Sequence, residues 1–161
     1  MSVSTSTAPT LAPATSPLRT ALRLTADPSR WRPHVDFDPD RRYVHRLLAG
    51  EHSEAWLLTW LPGQGTEWHD HGGSAGAFVV LQGVLVERTA VHGVVRAPRH
   101  VHRRRVAHAF GPDHVHRVTN EGPDPAVSLH VYAPRLEVQH DYVDDDGILR
   151  LLATRREGDD W

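Results

Sequence analysis

The sequence predicts an all-β chain: one small barrel preceded by short helices. Three features predict it. Apolar residues recur with period two after about Asp40, the period of strands with one buried face. Gly, Pro and Asp/Asn clusters interrupt these runs at short intervals, as hairpin turns do. Helical spacing is confined to the segment ahead of them. At 161 residues the chain is expected to form one domain with a sizeable core.

In chain order, residues 1–17 (MSVSTSTAPTLAPATSP) are too poor in large apolar side chains to order themselves, so a flexible tail is expected. The domain then spans 18–161, with short helices over 18–36 and a barrel core over about 43–134. Leu18, Leu22 and Leu24 mark the first helix, and Asp27-Pro28 caps a second short turn. Strands are expected over 54–61, 66–71, 77–81, 84–89, 99–108, 115–120 and 126–133. Two more flank the turn Asp144-Asp145-Asp146-Gly147.

Composition excludes several classes of function. A net charge of -2 gives no general affinity for nucleic acid or anionic membranes, so neither is expected as a partner. The basic run Arg99-His100-Val101-His102-Arg103-Arg104-Arg105 reads as a strand with a charged exposed face. No apolar run reaches membrane-spanning length and no secretory leader is visible; a cytoplasmic protein is expected, with monomer possible. Cysteine is absent, which removes thiol nucleophiles, disulfides and zinc ribbons. Histidine, by contrast, occurs 13 times.

The informative histidines are His69 and His71. Two residues apart on a strand, they present imidazoles on one face and can aim two nitrogens at one divalent metal. Gly63, His69, His71, Gly76 and Gly83 follow the spacing G-x5-H-x-H-x4-G-x6-G, which resembles the first cupin motif. That motif usually carries glutamate where this chain has Gly76. His116, with three residues between it and Asn120 and Arg117 following it, fits the end of the second motif, and this H-x3-N spacing prefers it to His114. The resemblance implies a single cupin barrel, that is, a jelly-roll-like double-stranded β-helix. Three neutral imidazoles leave the full charge of a divalent ion on the metal, favouring anionic ligands from substrate.

Ser128, His130 and Tyr132 alternate, sharing one face while Val127, Leu129 and Val131 occupy the other. A hydrolase triad is a poor fit, because the serine lacks a nucleophile elbow and an acid is missing. A relay fits better: Ser128 orients His130, which hydrogen-bonds Tyr132. The combination of His69-Asp70-His71, His116-Arg117-Val118-Thr119-Asn120 and Ala126-Val127-Ser128-Leu129-His130-Val131-Tyr132-Ala133-Pro134 is similar to the cysteine dioxygenase family. Residues from about Tyr43 to Pro134 carry the resemblance.

That resemblance implies Fe(II) on His69, His71 and His116, and a Ser128-His130-Tyr132 relay. It implies O2-dependent oxidation of L-cysteine to cysteine sulfinate. Some members have a cysteine at the Gly76 position, cross-linked to the tyrosine; here the phenol stays unlinked, as in bacterial-type members. The family places a carboxylate-binding arginine upstream of the first motif, where Arg46 is the preferred residue, with Arg42 close by. Two other readings remain: a dioxygenase of 3-mercaptopropionate or another small thiol, and a non-catalytic cupin binding metal or ligand.

Overall fold

The computed structural model describes residues 16–156, so residues 1–15 of the expected tail lie outside the described residues. Pro17, placed in the tail by the sequence, already begins a helix. Helix α1 (Pro17–Thr25) is capped by Ser16, whose side chain accepts from the Arg19 amide at 3.4 Å. Ala21 and Leu24 are buried; Leu22, expected beside Leu24, is 48 % exposed. The spacing of Leu18, Ala21 and Leu24 keeps one face of the helix apolar. Two 3-10 turns follow, at Pro28–Arg30 and Arg32–His34, the first capped by Asp27.

Eleven strands make up the rest of the described chain: β1 (Val44–Ala49), β2 (Glu54–Trp60), β3 (Trp68–His69), β4 (Ala75–Gln82), β5 (Val84–Val91), β6 (Val94–Arg103), β7 (Ala107–Phe110), β8 (Val115–Thr119), β9 (Ala126–Ala133), β10 (Val138–Asp145) and β11 (Ile148–Arg156). One sheet has the order β1-β2-β9-β4-β7, and the other runs β10-β11-β6-β5-β8-β3 with β3 returning to β10. All pairings are antiparallel. The single strand expected over 99–108 is two. Arg105 takes a left-handed conformation (φ 69°), and its amide donates to the Val80 carbonyl, so the chain leaves one sheet for the other.

The first sheet is buried on both faces. Outward, Ala55, Leu57, Ala77, Val79, Val127, Leu129 and Val131 pack beneath Ala21 and Leu24 of α1. Inward, Leu58, Trp60, Phe78, Val80 and Tyr132 meet Leu85 and Val118 of the second sheet. Alternation along β9 therefore puts apolar groups under the helix and Ser128, His130 and Tyr132 inside the barrel. Burying Leu24 alone contributes about 1.5–3 kcal/mol. Among the described residues, no helix is long and apolar enough to cross a membrane.

Candidate metal centre

Antiparallel pairing of β3 with β8 sets His69 directly opposite His116. His71 lies just past β3, where the turn through Gly72 and Gly73 begins. Asp70, between the two histidines, points away from them. Its carboxylate accepts from the Tyr142 hydroxyl at 2.7 Å and from the His140 backbone and ring, fastening this segment to β10. Burial raises the Asp70 pKa, but these hydrogen bonds together outweigh it and hold the carboxyl below its ordinary range.

One ring nitrogen each from His69, His71 and His116 lies within 4.8 Å of the others. The ring centroids are 4.6–5.0 Å apart. His69 Nδ1–H donates to the Glu67 carbonyl at 2.9 Å, and His116 Nδ1–H to Glu87 Oε1 at 2.7 Å. Both Nε2 lone pairs are thereby left for a ligand. His71 is fully buried and neither of its nitrogens has a hydrogen-bond partner. An orphaned pair of buried nitrogens costs free energy unless something binds there. Burial first, then the neighbouring histidines, keeps His69 and His71 well below the usual imidazole range, so both are neutral ligands at neutral pH. This donor set fits a divalent transition metal with open positions for substrate.

The Gly76 position, where a carboxylate ligand was the alternative, has no room for one. A Cβ there would stand 2.3 Å from Phe110 Cζ. The Phe110 ring stacks on His71 at 4.8 Å and on His114 at 4.7 Å. The nearest carboxylate is instead Glu87, on β5, behind His116. It is fully buried and accepts from His102, His114 and His116 at 2.8, 2.9 and 2.7 Å. His114 therefore bonds Glu87 and is no part of the three-histidine set.

Of the expected relay, the first link is formed. Trp60 Nε1–H donates to Ser128 Oγ at 2.9 Å, so the serine hydroxyl donates onward to His130 Nε2 at 2.8 Å. His130 must then carry its proton on Nδ1, which has no partner. The second link, His130 to Tyr132, is absent: Nε2 meets Ser128, and Nδ1 does not reach the phenol. Burial is the main cause of the His130 pKa falling to about 3, and of the Tyr132 phenol rising above its ordinary range.

These groups open onto a cavity of about 330 Å3 lined by His69, His116, His130, Tyr132, Trp56 and Arg42, among others. Arg46 is not part of that lining. It pairs across from Trp56 near the sheet edge, its guanidinium 5.4 Å from the indole and exposed to solvent. Arg42 takes the inner position, 5.0 Å from the Trp60 ring. Its Nε is buried without a partner, no carboxylate pairs with it among the described residues, and burial pushes its pKa down to about 10. Glu87, Trp60 and Phe110 escaped the sequence reading, which named Arg42 only as the neighbour of Arg46. Glu87 left one signal: two residues after Leu85, it is a charge on the buried face of a strand.

The family model described as cysteine dioxygenase type I matches residues 19–145. The chain belongs to the cysteine dioxygenase type I family. Cysteine dioxygenase type 1 of Homo sapiens is 30 % identical over 125 residues, covering 71 % of this chain and 62 % of the human protein. That of Rattus norvegicus is 28 % identical over the same shares. The chain thus spans somewhat less than two thirds of these relatives' length. Among solved structures, TT1209 of Thermus thermophilus superposes with a TM-score of 0.57 at 26 % identity, covering 65 % of this chain and 93 % of that one. A Klebsiella pneumoniae protein with a double-stranded β-helix domain gives a TM-score of 0.56 at 19 % identity, covering 76 % and 93 %. The second likeness establishes the cupin-type fold for this family member as well.

Proposed function

We propose that this chain is a thiol dioxygenase converting L-cysteine to cysteine sulfinate, with ferrous iron held by His69, His71 and His116. One observation carries the reading: two of the three convergent imidazoles, His69 and His116, share a cavity with Arg42, whose Nε is buried without a hydrogen-bond partner. A substrate with a thiolate at one end and a carboxylate at the other answers both. Bound iron supplies the chemistry that adds both atoms of dioxygen to the thiol sulfur.

The chain's own residues do the positioning. The Arg42 fork takes the carboxylate bidentately and remains cationic at neutral pH, since its lowered pKa of about 10 is still far above 7. Arg46, the arginine preferred from sequence, is replaced in this role by Arg42. His130, neutral and fixed by Ser128, offers Nδ1–H as a donor to bound substrate. Tyr132 keeps its proton and is a second donor. Val44, Leu58, Trp56 and Leu136 form apolar walls that limit water in the cavity and strengthen each of these contacts.

Oxygen uptake by the iron-loaded protein, measured in parallel with L-cysteine and 3-mercaptopropionate, tests this. Faster uptake with L-cysteine and a product heavier by two oxygen atoms support the proposal. Faster uptake with 3-mercaptopropionate, which keeps thiol and carboxylate but lacks the amine, moves the substrate to that acid. No thiol-dependent uptake with either leaves a non-catalytic metal-binding barrel.

A further inference from the structure

Glu87 is surrounded by four imidazoles, and only His116 belongs to the centre already described. Its two oxygens divide the work. Oε1 accepts from His114 and His116 at 2.9 and 2.7 Å; Oε2 faces His102 Nε2 at 2.8 Å and His108 Nε2 at 3.6 Å. His102 comes from β6, His108 from β7 and Glu87 from β5, so the barrel closure itself brings the three together. One donor atom from each lies within 4.8 Å of the others.

We propose that Glu87, His102 and His108 form a second site for a borderline divalent transition metal, of which zinc is the probe. A four-coordinate ion with bonds of about 2.0–2.1 Å keeps its donors roughly 3.4 Å apart, and the two measured separations bracket that value. The donor types, two imidazoles and one carboxylate, are those such ions accept. Charge supplies a separate argument. The Glu87 carboxylate is fully buried, and among the described residues every group paired with it is an imidazole, with no arginine or lysine. A buried anion needs a cation, and a divalent ion provides one without protonating any of the four rings. The cluster meets solvent at His108, whose side chain is 36 % exposed, on a residue that does not line the three-histidine cavity.

The shared carboxylate couples the two centres. Electron density drawn from Glu87 by a second ion weakens its hold on the His116 Nδ1–H, and with it the donor strength of His116. The site itself stands independently of the thiol dioxygenase reading.

Zinc stoichiometry of the metal-free full chain, followed by calorimetric titration and elemental analysis after dialysis, tests the proposal. Wild type is expected to hold two equivalents. H108Q, at a half-exposed position, should hold one with its thermal midpoint retained, and H69A/H71A should hold one of the other kind. Loss of both equivalents only when the two sets are combined completes the case. Binding of a single equivalent by wild type overturns the proposal, and that measurement requires no variant to fold. Two equivalents surviving in H108Q overturn it equally, as adventitious binding elsewhere on the chain.

Discussion

Arg42 and Arg46 are separated by two steps of the strand period and fall on one face, yet their surroundings differ. Register decides the matter: Arg46 pairs opposite Trp56, and continuing the same pairing inward sets Arg42 against Trp60, which is fully buried beside Ser128. Hydrogen bonds to a charged group contribute about 1.5–3 kcal/mol. R42Q should therefore raise KM for L-cysteine by roughly 10- to 100-fold, while R46Q stays within about twofold of wild type. Steady-state oxygen uptake distinguishes them, and equal effects in both variants would refute the assignment. The Tyr132 hydroxyl is no partner of Ser128 or of His130 Nδ1, so Tyr132→Phe leaves the Ser128-His130 contact in place. Its iron content should match wild type while turnover drops by about 10- to 100-fold. Loss of iron would make Tyr132 a structural support for the centre instead.

Among the elements, β4 and β7 carry the feature that separates this site from a carboxylate-ligated one. Gly76 pairs with Phe110 on β7 and with Tyr132 on β9, and the Phe110 ring fills the space a side chain would occupy. Gly76→Ala should destabilise the fold by about 1–3 kcal/mol, the usual cost of overpacking. It should also weaken metal binding, because Phe110 can yield only by moving off His71. Chemical denaturation with metal titration reports both, and an unchanged metal affinity would show that the stacking on His71 is dispensable. The strands were legible where a short apolar run met turn residues, as in β2 and β4, or where period two was unbroken, as in β9. His69 on β3 and its partner His116 on β8 were legible from their motif spacing; His71 was legible from the same motif, although it lies past the end of the strand expected to carry it. The split between β6 and β7 was not, because Arg103-Arg104-Arg105 contains neither glycine nor proline, and the turn depends on a tertiary hydrogen bond from Arg105 to Val80. The relay geometry was hidden likewise. Alternation places Ser128, His130 and Tyr132 on one face, but the donor that Ser128 accepts from is Trp60 on another strand.

At the scale of the whole barrel, four imidazoles that are neutral when folded make stability depend on pH in the metal-free protein. His69, His71, His116 and His130 all have lowered pKa values, with burial the largest cause in each. In the unfolded chain each titrates near 6.5. Below that pH the unfolded state takes up protons that the folded state refuses, so stability falls as pH drops; for His130 the decline continues to about 3. Glu87 and Asp70 also have depressed folded pKa values, so their contributions are constant above about pH 5 and are lost only below it, outside this interval. Each histidine costs at most about 1.4 kcal/mol per pH unit. Between about pH 7.5 and 5.5 the metal-free protein should therefore lose up to about 5 kcal/mol, read as a lower urea midpoint with unchanged m. Iron or zinc bound by the folded state alone should raise the midpoint at both values. A urea midpoint for the metal-free protein that does not move across this interval would mean that the four rings are not held neutral together. The convergence of His69, His71 and His116 as unprotonated donors would then fail with it.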